Sequence, residues 1–403
     1  MVIVKWIKKV GTEVDNSILN PGGTLGIIGS STNGVGLVIA ARNAGINVGV
    51  YGDNENTETM ELADFRVVGA RNDQQQLQNF AERCDIVTYE SESVDASVIN
   101  FLSAHTRVPQ GGDALEIMQD RSLERAFFSQ LNLNVAPSAT IVSLDDVYQA
   151  IGSIGYPSIL KPIQKGLGQN RQLVIKTQSD IVKAADLLDW GTYLLESLIP
   201  YDKELSVFVA KSATSTEFFP SVENRYRDHE LLATIVPAQI DQVVNDEMMR
   251  ITKEISDNLS YTGIFEVAFF LTKSGNLYVK RIVPAMHQAG YVFERATNIS
   301  MAEQHLRAIA GLPLMPVKQL MPVVAVYFTP AQESGIRTQW QLKTNWFFNF
   351  YHRTLLQADK TPVAGHVLVE APSVKEALEQ IDDTNIWNFN APSVENSDEK
   401  PTE

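Results

Sequence analysis

YPSILKPIQKGLGQNRQLVIK, residues 156–176, places a lysine at the end of an apolar strand and follows it with a short glycine-containing loop. The strand candidate Tyr156–Pro162 carries Lys161, the loop holds Lys165, Gly166 and Gly168, and a second strand candidate spans Leu173–Lys176. A strand lysine beside such a loop suits the phosphates of a nucleotide. Further on, YLLES (193–197) closes on Glu196 and Ser197, and Glu204 leads into the alternating strand LSVFVA (205–210). An acceptor at the first site can meet an adenine amino group, and a carboxylate at the second can bond ribose hydroxyls. Each alone reads equally well as a surface charge; in this order they point to a nucleotide.

Upstream, β-branched runs alternate with helical stretches: TLGIIG (24–29), a helix over 35–44, NVGVYG (47–52), FRVVG from Phe65, a helix over 77–83, and DIVTYE (85–90). That alternation predicts a parallel sheet with crossover helices, its functional edge near Gly29 and Glu90 where strands end. GSSTNGVG (29–36) sits at a strand-to-helix junction, where backbone N–H groups can hold an anion, or where a simple tight turn suffices. No Lys-Ser/Thr pair follows Gly34, and Ser31 replaces the second glycine of a dinucleotide fingerprint. Glu90 and Glu92, two apart at a strand end, point the same way and suit either a polar ligand or a solvated loop. Downstream, helices are expected over 122–131, 179–188 and 242–259. The strands 263–272 and 276–283, joined by Lys273-Ser274-Gly275, form a hairpin.

The 403 residues predict two or three domains, and 33 basic against 48 acidic residues argue against nucleic acid as a partner. One cysteine, Cys84, excludes an internal disulfide framework or Cys-rich metal site and fits a reducing, cytoplasmic compartment. No apolar run reaches the ~20 residues that span a bilayer, so no membrane partner is expected. The six histidines show no close metal-ligand spacing, and no metal site is assigned.

The order Lys161, glycine loop, Glu196, Glu204, then a strand pair before His287 resembles an ATP-grasp ligase. More narrowly, the chain resembles the 5-(carboxyamino)imidazole ribonucleotide synthase family, through LNPGGTLGIIG, DIVTYESES, VPQGG, YPSILKP, LLESLIPYDKELSVFV, FPSVEN, IVPAQI and EQHLRAIAGLPL. The resemblance implies an α/β, three-domain ATP-grasp fold: after an extension over 1–20, a preATP-grasp parallel-sheet domain over 21–112, an ATP-grasp domain over 113–315 and a small C-terminal cap over 316–390; the tail over 391–403 is polar without periodic apolar positions and is expected to be disordered. It implies ATP as cofactor, with magnesium, and a homodimer. By position it assigns nucleotide binding to Arg121, Lys161, Glu196, Glu204 and Tyr226, the adenine hinge to Glu196, Ser197, Leu198 and Ile199, and the phosphate-covering loop to Gly166, Gly168 and Gln172. Gly29, Ser31, Thr32, Glu90 and Glu92 fall on the substrate side.

Against that pattern, the positions that bear the chemistry differ. Family members hold magnesium with a Glu in V-E-x-F and with an Asn-Glu pair; here these are Ala268 and Lys280-Arg281. Magnesium demands hard oxygen ligands; alanine offers none and a guanidinium repels the ion. Glu266 faces the same side as Ala268, about 7 Å along the strand at a rise of ~3.4 Å per residue. PRPHNSGH reads PAMHQAGY (284–291), keeping His287, and the basic pair before Gly365 is Pro362-Val363. Lys280 and Arg281 can take over the metal's charge toward a triphosphate; alternatively, Arg281 pairs with Glu266 across the hairpin and closes the site. Lys280, Arg281 and His287 are the catalytic candidates. Three functions are carried forward: the family's ATP- and bicarbonate-dependent carboxylation of aminoimidazole ribonucleotide, impaired by the lost metal ligands; a non-catalytic nucleotide- or partner-binding paralogue; and a ligase for another acceptor.

Overall fold

Four parallel strands, β1 (Thr24–Ile28), β2 (Asn47–Gly52), β3 (Phe65–Val68) and β4 (Ile86–Tyr89), lie in the order β3-β2-β1-β4. The computed structural model describes residues 18–165, 171–227, 230–351 and 363–389; Gly166, Gly168, Pro362 and the tail over 391–403 fall outside them. Helix α1 (Asn33–Asn43) follows β1 and buries Leu37, Val38, Ala40 and Ala41. The turn between β1 and α1 depends on Gly29, whose φ of +106° favours glycine and whose Cβ would meet a Glu90 carboxylate oxygen at 2.5 Å. Cys84 is buried against Phe80, with Sγ on its carbonyl, as a structural residue.

A second sheet, in the order β5-β8-β6-β7, comprises β5 (Ser138–Ile141), β6 (Ser158–Pro162), β7 (Leu173–Ile175) and β8 (Tyr193–Ser197). The third is nine-stranded and comprises β9 (Tyr201–Lys211), β10 (Thr216–Phe218), β11 (Val222–Arg227), β12 (Glu230–Val236), β13 (Gly263–Thr272), β14 (Leu277–Val283), β15 (Val323–Phe328), β16 (Trp346–Phe350) and β17 (Gly365–Glu370). Its path runs β14-β13-β9-β11-β12-β15-β17-β16, with β10 on β9. The C-terminal strands therefore continue the large sheet through the antiparallel pairing of β12 with β15.

Along β9, Leu205, Val207 and Val209 enter one hydrophobic cluster while Phe208 and Ala210 enter another. Burying each such side chain contributes roughly 1.5–3 kcal/mol, which holds this strand at the centre of the molecule. The expected hairpin is present, Gly275 at φ +82° in its turn. The expected helix over 179–188 is instead a 3-10 segment, Gln178–Ala184, with one α-turn, Ala185–Leu188. A Thr177–Asp180 capping box fixes the start of that tight segment.

Helix Met301–Ile309, with its Ser300–Glu303 capping box, joins the two main sheets. Its buried His305 accepts the Ile264 N–H at 3.0 Å through Nδ1 and lies 3.1 Å from Thr88 Oγ1 through Nε2. Burial pushes the imidazole down to about 3, so it stays neutral. Just before the first strand, Leu19 is buried and its N–H donates to the Ala310 carbonyl at 2.9 Å.

Candidate nucleotide site

Lys161 on β6 and Glu196 on β8, read from the sequence as separate phosphate and adenine contacts, form an ion pair with Nζ 3.0 Å from the carboxylate. A second cation, which sequence reasoning missed, holds the other oxygen: Arg125, from the helix Arg121–Gln130. Arg125 also reaches the Lys280 carbonyl at 3.5 Å, so it links the small sheet to β14. Burial opposes charge on Glu196, but Lys161 and Arg125 outweigh it and hold the carboxyl below its usual range. Glu124, one residue earlier, is buried, pairs with Lys165 at 3.0 Å and accepts the Ile282 N–H at 3.1 Å. Both residues lie on a helix whose amphipathic pattern gives no hint of these partners.

The remaining nucleotide assignments are found near this cluster, but most are already engaged. Arg121 donates to the Pro162 carbonyl at 2.6 Å, and burial lowers its pKa. In the hinge, Ser197 N–H donates to Pro137 O, Leu198 N–H donates to Pro157 O at 3.1 Å, and Ile199 O accepts from Tyr201 N–H. Gln172 is half-buried just before β7. Glu204, expected to meet ribose, accepts the Lys280 ammonium at 2.7 Å. That ammonium lies 5.3 Å from the Tyr226 ring centre and 4.9 Å from Phe270, which stacks on Tyr201. Burial lowers the Lys280 pKa and the Glu204 charge opposes the change. A pocket of about 330 Å³ opens beside Glu204 and Tyr226, lined also by Tyr201, Asn224 and Arg225.

The expected pairing of Arg281 with Glu266 does not form. Hairpin register sets Ala268 opposite Arg281 and Val283 opposite Glu266, so the two side chains start two residues apart. Arg281 reaches Glu92 at 3.4 Å, and its buried Nε has no partner. Burial opposes its charge, yet Glu92 and Glu266 together raise its pKa. Glu266 accepts the Ser206 hydroxyl at 2.5 Å and lies 3.0 Å from His287 Nδ1. Behind it, Asn224 Nδ2 donates to Ser206 Oγ at 2.9 Å, and Thr234 Oγ1 donates to Asn224 Oδ1 at 3.1 Å. Burial of Glu266 is outweighed by His287, Arg281 and Ser206, which bring its carboxyl down to about 2.

On the substrate side, Glu90 and Glu92 point to different partners. β4 ends at Tyr89, so the two-residue alternation of a strand no longer governs them. Neither is a solvated loop residue: Glu90 is buried and accepts the Ser31 N–H at 2.8 Å and the Ser31 hydroxyl, while Glu92 faces Arg281. A carboxylate therefore occupies the anion position of the Gly29–Ser31 turn, which disfavours phosphate there by charge repulsion. Burial raises the Glu90 pKa against these hydrogen bonds. Thr32 lies beyond the turn, 3.3 Å from the Tyr291 hydroxyl.

Magnesium does not fit this arrangement. Ala268 supplies no oxygen, and Lys280 and Arg281 bring positive charge to the remaining positions. Among the described residues, no group of three or more His, Cys, Asp or Glu side chains is placed to hold a metal ion.

An N-terminal parallel sheet joined to a two-sheet nucleotide site, with a strand lysine facing a hinge glutamate, defines an ATP-grasp protein. Residues 23–119 match the ribonucleotide synthetase preATP-grasp domain, and residues 126–301 match the ATP-grasp domain. The N5-carboxyaminoimidazole ribonucleotide synthase of Bacillus subtilis is 31% identical over 314 residues, 78% of this chain and 83% of that protein. Its counterpart from Staphylococcus epidermidis is 27% identical over 362 residues, 89% and 96% of the two chains. The crystal structure of an ADP complex of N5-carboxyaminoimidazole ribonucleotide synthetase superposes with a TM-score of 0.86 at 30% identity, covering 92% of this chain and 98% of that one. The Staphylococcus aureus enzyme gives 0.84 at 26% identity, covering 91% and 98%. This chain belongs to the N5-carboxyaminoimidazole ribonucleotide synthase family, whose reaction is the ATP-dependent carboxylation step of purine biosynthesis. No helix among the described residues is long and apolar enough to cross a membrane.

One consequence concerns acid stability. A carboxyl held near 2 when folded and near 4.5 when unfolded contributes stability that is complete above about 4.5 and lost as pH falls towards 2. Glu266→Gln should therefore flatten the loss of stability between about pH 4.5 and pH 2. Glu90, raised by burial, acts with the opposite sign, so the informative quantity is the wild-type minus variant difference in urea midpoint. An unchanged slope in that window would place the low carboxyl elsewhere.

Proposed function

We propose that this chain binds an adenine nucleotide without magnesium and has lost or severely reduced the family's magnesium-dependent carboxylation. The observation that carries the reading is the replacement of the metal-holding side chains by Ala268, Lys280 and Arg281, with Arg281 left under-satisfied beside Glu92. A guanidinium grips phosphate oxygens bidentately and keeps its charge, so Arg281 takes the metal's place toward the phosphates. Lys280, committed to Glu204, lies on the nucleoside side and contributes less there than its sequence position suggests. Relatives have been crystallised with ADP, and one with ADP and 5-aminoimidazole ribonucleotide; the retained Lys161–Glu196 pair supports ATP or ADP as the ligand here.

A second reading, a ligase for another acceptor, is favoured by one feature. A buried carboxylate, Glu266, stands beside the retained His287 on the face that has lost its metal ligands. Changed chemistry explains this pair better than simple decay, because a buried charge is costly to keep unless it is partnered, and here Ser206 and His287 partner it. The test is calorimetric titration of ATP and ADP with magnesium and with chelator. Equal binding in both is expected. Binding confined to magnesium would overturn the metal-site argument and restore the ordinary family reaction.

A further inference from the structure

His287 precedes the 3-10 segment Gln288–Val292 and brings its imidazole to the end of β13. Its Nδ1 lies 3.0 Å from Glu266 Oε2, an ion-pair distance, and neither atom makes a hydrogen bond in this rotamer. The other Glu266 oxygen is fixed by Ser206, itself fixed by Asn224 and Thr234, so the carboxylate cannot swing away. Nε2 has no hydrogen-bond partner among the described residues, and the His287 side chain is 19% exposed. Carboxylate, Nδ1–H and an unengaged Nε2 form the arrangement that fixes an imidazole tautomer and stabilises the imidazolium after proton uptake.

We propose that Glu266 and His287 form a proton-accepting dyad, in which His287 Nε2 deprotonates the amine or hydroxyl of a small acceptor molecule and Glu266 is the positioning residue. The proposal rests on the second reading above, that the site still serves an acceptor. The proton passes from the acceptor's N–H or O–H to Nε2, and the bonding pair stays on the acceptor atom as the nucleophile's lone pair. Glu266 remains ionised throughout and faces the imidazolium. Lys280 and Arg281 from β14 and Tyr226 from β11 are the other charged or titratable neighbours of this carboxylate.

The competing arrangement is a permanent ion pair with His287 already protonated, which could accept nothing. Peptide-resolved carbethoxylation by diethyl pyrocarbonate separates the two, because only a neutral imidazole reacts. Near neutral pH, His287 of the full-length wild-type chain should be modified readily. Glu266→Gln should slow that modification by about tenfold or more, because its carboxamide can donate to Nδ1 and hold the ring proton on Nε2, while Thr234→Ala, three hydrogen bonds further back, should change it by less than about twofold. Glu266→Ala, which removes the acceptor without supplying a donor, should slow it less than Glu266→Gln does. An unreactive His287 in the native wild type that reacts once unfolded, or equal rates with and without the Glu266 carboxylate, overturns the dyad. The measurement uses no nucleotide, so its outcome is independent of whether the nucleotide reading holds.

Discussion

A chain carrying Ala268→Glu, Lys280→Asn and Arg281→Glu together should become less stable in chelator and regain its stability, with magnesium-dependent nucleotide binding, when magnesium is added. The reason is cross-strand geometry. Residues 268 and 281 face each other across the β13–β14 hairpin, so two carboxylates there meet directly. Glu92 loses Arg281 and Glu204 loses Lys280 in the same change, leaving both acids without their present cations. Like charges about 4 Å apart repel by roughly 4 kcal/mol at the effective dielectric of a partly wet site. A loss of that size should lower the unfolding midpoint by about 10 °C. Magnesium neutralises the cluster and finds the oxygen ligands that the present chain lacks. Thermal unfolding in chelator and in magnesium, with nucleotide calorimetry in both, reads the outcome. A midpoint indifferent to magnesium would show that these three positions do not form the metal seat.

Lys280→Ala alone should raise affinity for adenosine by about tenfold, equivalent to ~1.4 kcal/mol. The ammonium of Lys280 sits on Glu204 at 2.7 Å and over the Tyr226 and Phe270 rings, so it occupies the side chains that would seat a ribose and its base. Removing it leaves a buried carboxylate without its cation, and ribose hydroxyls then supply the hydrogen bonds that Glu204 needs. Adenosine is the informative probe because it has no phosphates for Arg281 or Lys161 to grip. Weaker adenosine binding in the variant would mean that Lys280 helps to hold the nucleoside.

Much of the frame was legible in the chain. The alternation of β-branched runs with helical stretches corresponds to a parallel sheet, and Lys273-Ser274-Gly275 to a hairpin turn, because both signals are local. The Lys161–Glu196 pair was also within reach, since both residues end strands of one small sheet. Arg125 and Glu124 were not, because their partners lie 71 and 41 residues away on other elements. Strands β10 to β12 and the C-terminal strands of the large sheet were also passed over. Their apolar residues are buried by neighbours brought in from distant segments rather than marked by a strong local period.

By itself, the sequence determined the chemical vocabulary of this protein: a methyl at position 268, two cations at 280 and 281, a carboxylate at 266 and a histidine at 287. These identities already argue against magnesium, because no fold can draw an oxygen ligand from an alanine side chain. Only the tertiary structure decided who meets whom. Register puts Val283 opposite Glu266, sending that carboxylate to Ser206 and His287, and leaves Arg281 to Glu92 from the other domain. Contacts within 4 Å are settled by strand register and domain packing over hundreds of residues, and spacing along one strand records neither.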